Sequence, residues 1–201
     1  MKNLFLLFFL SLTISVFSQN PDIRLLRSFN SPLSLPADGF FRVVSNSDMY
    51  VITGIPVTMG LVGLVKHDDD LLRKSYVVAG ATVLNLGITA VLKYSIRRDR
   101  PFVTYPDIIN KTGKPLKDPS FPSGHTSTAF TMATSLTLEC PKWYVIVPAY
   151  TYAGTVGYSR MRLGAHYPSD VLMGAIIGTG SAWITHVVNK KLNIKHKCHG
   201  R

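Results

Sequence analysis

The sequence predicts an all-α protein, a helical bundle held in a membrane. Three observations lead there. Apolar residues gather into five runs, at roughly Tyr50–Val65, Ser75–Leu92, Thr126–Cys140, Trp143–Tyr158 and Val171–Val188. Charged residues make up 16% of the 201-residue chain and hydrophobic ones 46%, a balance shifted away from that of soluble domains. The first twenty residues, MKNLFLLFFLSLTISVFSQN, read as a secretory signal peptide. Lys2 supplies a short positive start, Leu4 to Phe17 form the apolar stretch, and Val16 and Ser18 suit cleavage before Gln19. The expected architecture is five spans after a signal peptide at 1–18, or six if that segment is retained.

Residues 19–48 read as an outer N-terminal segment, broken by Pro21, Pro32 and Pro36, with DGFFRVVS as an amphipathic surface helix. Residues 49–188 hold the five runs and form the membrane domain. Each run is a little short of the ~20 residues that cross a bilayer unaided. Flanking residues extend them, and snorkelling Lys and Arg cover the shortfall. The tail 189–201 carries Lys190, Lys191, Lys195, Lys197 and Arg201, which keeps it on the cytoplasmic side. Five spans then put residue 49 outside, where a signal peptide would deliver it. The connections 66–74 and 141–142 fall inside. The segments 93–125 and 159–170 fall outside, on one common face.

Smaller features take structural readings. HDDD at 67–70 is a cytoplasmic turn with helix-capping acids, and Asn85 is an interhelical hydrogen-bonding residue. His186 is interfacial, and Arg162 meets lipid headgroups. The formal net charge of +11 fits basic loops facing anionic lipid. No nucleic-acid recognition motif accompanies it, so a nucleic-acid partner is not expected. Cys140 and Cys198 make neither a disulfide framework nor a zinc site by spacing.

The outer face collects the chemistry. In KYSIRRDRP, Lys93 and Arg100 are seven apart, so a helix extended outward would bring them to one face, with Arg97 between and Pro101 ending it. In FPSGHTSTAF, Ser123 and Gly124 open the third span. Its free backbone N–H groups suit an anion, glycine allows close approach, and the Ser123 hydroxyl serves as cap or donor. His125 sits at the same edge. In SRMRLGAHYPSD, Arg160 adds a third cation, and Pro168 starts a helix whose first turn holds Asp170. The Asp170 carboxylate then reaches back to a ring nitrogen of His166, fixing the tautomer and leaving the other nitrogen free. Three cations, two histidines, one carboxylate and one helix N-terminus point to a phosphate oxyanion, with the histidines dividing nucleophilic and acid roles.

These residues resemble the three-part signature of the type 2 phosphatidic acid phosphatase and vanadium haloperoxidase superfamily: K-x6-R-P, P-S-G-H, and S-R-x5-H-x3-D. Here it reads Lys93 to Arg100-Pro101, Pro122-Ser123-Gly124-His125, and Ser159-Arg160, His166, Asp170. The resemblance implies a membrane helical bundle of the lipid phosphatase type, working without metal or other cofactor. It implies that His166 attacks phosphorus, Asp170 holds His166, and His125 protonates the leaving oxygen. Lys93, Arg100, Ser123, Gly124 and Arg160 would bind the phosphoryl oxygens. The expected partners are a membrane lipid phosphate and the bilayer itself. The expected location is a bacterial inner membrane, with the site facing the periplasm. Lipid A phosphate leads among substrates, because the basic outer loop NKTGKPLKDPS suits a bulky anionic sugar headgroup. Undecaprenyl diphosphate and phosphatidylglycerophosphate are the alternatives. Outside that class stand a vanadate-dependent haloperoxidase and a non-enzymatic membrane protein. One departure from the family is that a sixth span, found in some members, is replaced by or hidden in the N-terminal apolar segment.

Overall fold

In the computed structural model, residues 21–31 and 35–199 are described, with side chains through Leu192. The signal peptide expected at 1–18 lies outside them. The described residues form helices and no strand: α1 (Pro21–Phe29), α2 (Ala37–Lys66), α3 (Asp69–Ile96), α4 (Pro101–Thr104), α5 (Gly124–Glu139), α6 (Trp143–Arg162) and α7 (Pro168–His199).

Local chemistry sets most helix ends. The α2–α3 turn is a tight helical hairpin. His67 adopts the left-handed conformation and its N–H reaches the carbonyls of Gly63 and Leu64, closing α2. Asp68 then caps α3 by accepting from the Leu71 N–H at 2.9 Å. This bears out the capping acids expected in HDDD. A side chain at Gly63 would meet the Leu72 backbone N at 2.9 Å, so the hairpin needs a glycine there.

Several boundaries differ from the expectation. α2 begins at Ala37, so DGFFRVVS is the first part of one 30-residue helix and no separate surface helix forms. α3 ends at Ile96, where Arg97 turns left-handed at φ 51°, four residues ahead of Pro101. Pro101 instead opens the short α4, where its fixed φ and missing N–H suit a first helical position. α7 runs on through the residues of the expected basic tail to His199. By length and apolarity, three stretches among the described residues can cross a membrane: Ala37–Lys66, Asp69–Thr104 and Pro168–Leu192. The other two expected spans coincide with α5 and α6, which fall below that criterion.

The bundle is polar inside and apolar outside. α5 lies at the centre, packed on α2, α3, α6 and α7. It buries Thr126, Ser127, Thr128, Thr131, Thr134 and Ser135. Asn85 of α3 donates to the Ser127 hydroxyl at 3.2 Å, as the interhelical reading of Asn85 expects. Thr89 shares that hydroxyl at 3.1 Å. Meanwhile Leu61, Val83, Val91, Ile176 and Trp183 stand exposed on the outer faces of α2, α3 and α7. Such a surface is stable against lipid tails and unfavourable against water. The chain thus has the character of a membrane protein.

Close approach of α5 and α7 depends on Gly174 and Gly178, one helical turn apart. A Cβ at Gly178 would lie 2.2 Å from the Ser127 carbonyl oxygen, and one at Gly174 would lie 2.7 Å from that of Ser123. This is the small-residue contact that lets helix backbones meet inside a membrane. At the end of the bundle where α3 and α6 finish, α1 lays Ile23 and Leu26 against Ile108 and Tyr167, roofing the loops that carry the motifs.

Candidate active site

All three motifs meet at one end of the bundle, where α3 and α6 finish and α5 and α7 begin. Arg100 is the hub. It is 4% exposed, and its Nη1 donates to the Ala165 carbonyl at 2.9 Å and faces His166 Nε2 at 3.4 Å. Its Nη2 pairs with Asp118 Oδ1 at 2.8 Å. Lys93 reaches the other oxygen of the same carboxylate at 2.9 Å. The two cations therefore converge, but not by the extended helix that their spacing predicts. The chain breaks at Arg97, and Arg100 returns from an extended segment. Arg97 does not join them: it is exposed and bonds the Tyr94 carbonyl.

The third cation, Arg160, is 3% exposed and hangs from the Ser45 hydroxyl of α2. Its buried Nε has no hydrogen-bond partner among the described residues. Among the described residues no carboxylate hydrogen-bonds it, although Asp48 and Asp118 lie within Coulombic range, so its donors are available to an anion. Ser123 occupies the N-cap position of α5, as expected, yet its hydroxyl does not cap the backbone. It meets the Thr126 hydroxyl at 2.9 Å instead. Nothing lies within 4 Å of where a Cβ of Gly124 would stand, so the start of α5 is open on that side. His125 opens α5 within Coulombic range of Arg160, His166 and Arg100.

His166 sits in the 163–167 connection, which is held tight by Gly164. That residue has φ 69°, and a Cβ there would lie 2.4 Å from the Ile109 carbonyl oxygen. His166 Nδ1 donates to the Ser120 carbonyl at 2.8 Å, which leaves the Nε2 lone pair facing Arg100 Nη1 at 3.4 Å, a long contact that a phosphoryl group can replace. Burial, reinforced by the charges of Arg160 and Arg100, pushes the ring's pKa down to about 3, with Asp170 opposing. The imidazole is therefore neutral at ordinary pH.

Asp170 lies in the first turn of α7, as Pro168 predicts. Its oxygen is 3.6 Å from His166 Nδ1, beyond hydrogen-bond reach. The direct tautomer-fixing partner is the Ser120 carbonyl, and Asp170 acts on His166 through its field. Its carboxylate accepts from the Ser120 hydroxyl at 2.5 Å, the Tyr167 N–H at 3.0 Å and Arg98 Nη1 at 2.7 Å. Sequence reasoning missed Ser120, Arg98 and Ser45. Nothing in spacing marked them, although Ser120 lies two residues before the P-S-G-H stretch. Asp118 is a fourth residue that the motifs do not mark. Lys93 and Arg100 outweigh its partial burial and hold its carboxyl down to about 2.

Two other expectations are corrected. Arg162 does not face headgroups. It pairs with Asp38 at 2.8 Å, beside Lys111 at 3.1 Å, and tethers α6 to α2. His186, expected only to be interfacial, bonds Glu139 at 2.7 Å and ties α7 to the C-terminal end of α5.

Residues 75–194 match the model of the PAP2 superfamily. The chain belongs to that superfamily. An undecaprenyl-diphosphatase of Sulfolobus acidocaldarius is 36% identical over 107 residues, 51% of this chain and 48% of that protein. A lipid A 4'-phosphatase of Bacteroides thetaiotaomicron is 35% identical over 75 residues, 37% of this chain and 33% of that protein. The chain thus spans half or less of the length of these relatives. The crystal structure of Aquifex aeolicus LpxE superposes with a TM-score of 0.70 and 27% identity, covering 86% of this chain and 97% of that one.

Proposed function

We propose that the chain is a membrane phosphatase that removes phosphate from a lipid through a phosphohistidine. The observation that carries this reading is His166: buried, neutral, its Nδ1–H committed to Ser120 and its Nε2 lone pair beside Arg100. Lys93, Arg100, Arg160 and the open N-terminus of α5 at Ser123–Gly124 bind the phosphoryl oxygens. The Nε2 lone pair forms a bond to phosphorus as the bond to the lipid oxygen breaks. His125, as the imidazolium that the bound phosphate's negative charge favours, gives its proton to that oxygen. It then takes a proton from water, which attacks phosphorus and releases His166 and inorganic phosphate. Asp170 stabilises the positive charge that the phosphorylated ring carries.

In this reading α2, α3, α5, α6 and α7 all cross a bacterial inner membrane, after a signal peptide at 1–18. The site faces the periplasm. Lipid A phosphate is the leading substrate, supported by exposed Lys114 and Lys117 in the loop that carries Asp118. Undecaprenyl diphosphate stands beside it, supported by the relative from Sulfolobus.

Purified protein is assayed for phosphate release from each lipid, with His166→Ala as control. The variant is expected to lose at least ~1000-fold in kcat, the scale on which loss of a nucleophile acts. Phosphate release at the wild-type rate by that variant refutes the mechanism. Mass spectrometry of lipid A from a deletion strain then separates the substrates, because unchanged phosphorylation excludes lipid A.

A further inference from the structure

Arg98 is the one arginine of the RRDR run that turns inward without meeting the phosphate pocket. Both of its Nη nitrogens are committed elsewhere. Nη1 donates to Asp170 Oδ1 and to the Ser169 hydroxyl, both at 2.7 Å. Nη2 pairs with Asp22 of α1 at 2.8 Å. The plane stacks on the Tyr167 ring, 3.8 Å from its centroid. The backbone of the same residue takes part as well: its carbonyl accepts from the Ser120 N–H at 2.7 Å. Ser120 in turn supplies the carbonyl that binds His166 Nδ1 and the hydroxyl that binds Asp170. Both supports of His166 therefore pass through Arg98, one by its side chain and one by its main chain.

Asp22 completes the arrangement from the far side. One of its oxygens accepts from the Ser169 N–H at 2.8 Å, at the start of α7, and the other bonds the Ser169 hydroxyl and Arg98. A carboxylate at that position is favoured by the free N–H groups of the helix start. Ile23 and Leu26 of the same short helix pack on Tyr167 and Ile108, so α1 is seated on the histidine connection by both apolar and charged contacts.

We infer that Arg98 is a positioning residue for the nucleophile, clamped by Asp22 of α1, and that α1 is thereby part of the catalytic apparatus. The inference rests on the phosphatase reading above. Arg98 fixes the Asp170 carboxylate where its charge acts on His166 as Nε2 bonds phosphorus and the ring becomes cationic. It does not bind substrate. Its loss therefore weakens turnover and leaves substrate affinity in place.

The test is steady-state and single-turnover kinetics of the full chain on the lipid phosphate that the wild type hydrolyses. Arg98→Met is expected to lower kcat and the phosphohistidine formation rate by ~10- to 100-fold, the range seen when supporting residues around a reactive group are removed. KM should stay within about threefold, as expected when only a transition-state interaction is lost. Arg98→Lys should recover part of the rate, because one ammonium reaches one of the two carboxylates. Asp22→Asn should cost ~3- to 10-fold, and its effect should vanish in the Arg98→Met background, because residues of one network are not additive. An unchanged kcat in Arg98→Met, a rise in KM without loss of kcat, or multiplying effects of Asp22→Asn and Arg98→Met overturns the inference. If Arg98→Met fails to fold, Arg98→Lys and Asp22→Asn carry the same test, and wild-type kcat in both overturns it. A wild type inactive on every lipid phosphate rejects the phosphatase reading itself, whereas an active wild type with a fully active Arg98→Met rejects only the role of Arg98.

Discussion

In the phosphatase reading proposed above, Asp118 occupies the place of the substrate's charge. Its two carboxylate oxygens lie 2.9 Å from Lys93 and 2.8 Å from Arg100, so a phosphoryl group must displace it to engage both cations. Asp118→Asn keeps the shape and removes the charge. The carboxylate is 46% exposed, so each pair is screened and contributes only ~0.2–1 kcal/mol. Two pairs together come to about 0.4–2 kcal/mol, which converts to roughly 2- to 30-fold in affinity. The variant should bind substrate more tightly by that factor. It should also show tighter product inhibition by inorganic phosphate. The main-chain bond from Arg100 Nε to the Asp118 carbonyl survives the change, so Arg100 keeps its place. The assay is KM for the lipid phosphate and the inhibition constant of inorganic phosphate, for wild type and variant, at pH 7. A carboxyl held at about 2, below its ordinary 3.8, is ionised at that pH. Its ion pairs are in place above pH 3.8 and are lost as pH falls through 2, so the competition operates across any practical assay range. A KM that rises severalfold would refute the reasoning, because it would mean that Asp118 arranges the cations for substrate.

Two further predictions follow from burial and packing. His166, with its pKa at about 3 against an ordinary 6.5, favours the neutral ring in the folded protein; its contribution to stability is complete above pH 6.5 and is lost as pH falls through 3. Nitrogen-15 NMR of the imidazoles, assigned with His166→Gln, should show one ring fixed as the Nδ1–H tautomer from pH 8 to pH 5, and a titration centred near 6.5 would contradict the structure. Gly178→Ala should force α5 and α7 apart, since its Cβ would lie 2.2 Å from the Ser127 carbonyl oxygen. The expected cost is at least ~2 kcal/mol, and roughly 4–8 °C in Tm for a chain of this size. Gly180→Ala, which meets nothing within 4 Å, is the matched control, and equal Tm values for the two variants would show that the contact is not tight.

The fold class was readable because membrane helices announce themselves by apolar length, which needs no knowledge of neighbours. The pocket residues were readable because chemistry restricts them: His166 and Asp170 recur at one spacing across a Pro168 helix start. What could not be read was how they are held. Arg97 and Arg98 are identical side chains in adjacent positions, and only the left-handed turn at Arg97 sends one outward and the other under Tyr167. The Ser120 carbonyl that fixes the His166 tautomer is a main-chain atom, and main-chain atoms carry no residue signature. The break at Ile96 likewise defeated the helical argument for Lys93 and Arg100. Their convergence depends on where the 105–123 loop delivers Asp118.

The glycine contact between α5 and α7 also sets a tolerance for chemistry at a distance. His125 begins one of these helices, and His166 precedes the other by two residues. Gly174 and Gly178 interlock with the Ser123 and Ser127 carbonyls directly beneath them, so the helices cannot slide along each other. A slip of one turn would shift His125 about 5.4 Å relative to His166. In the phosphatase reading, the register between acid and nucleophile is therefore written in two hydrogen atoms that stand where methyl groups would otherwise be.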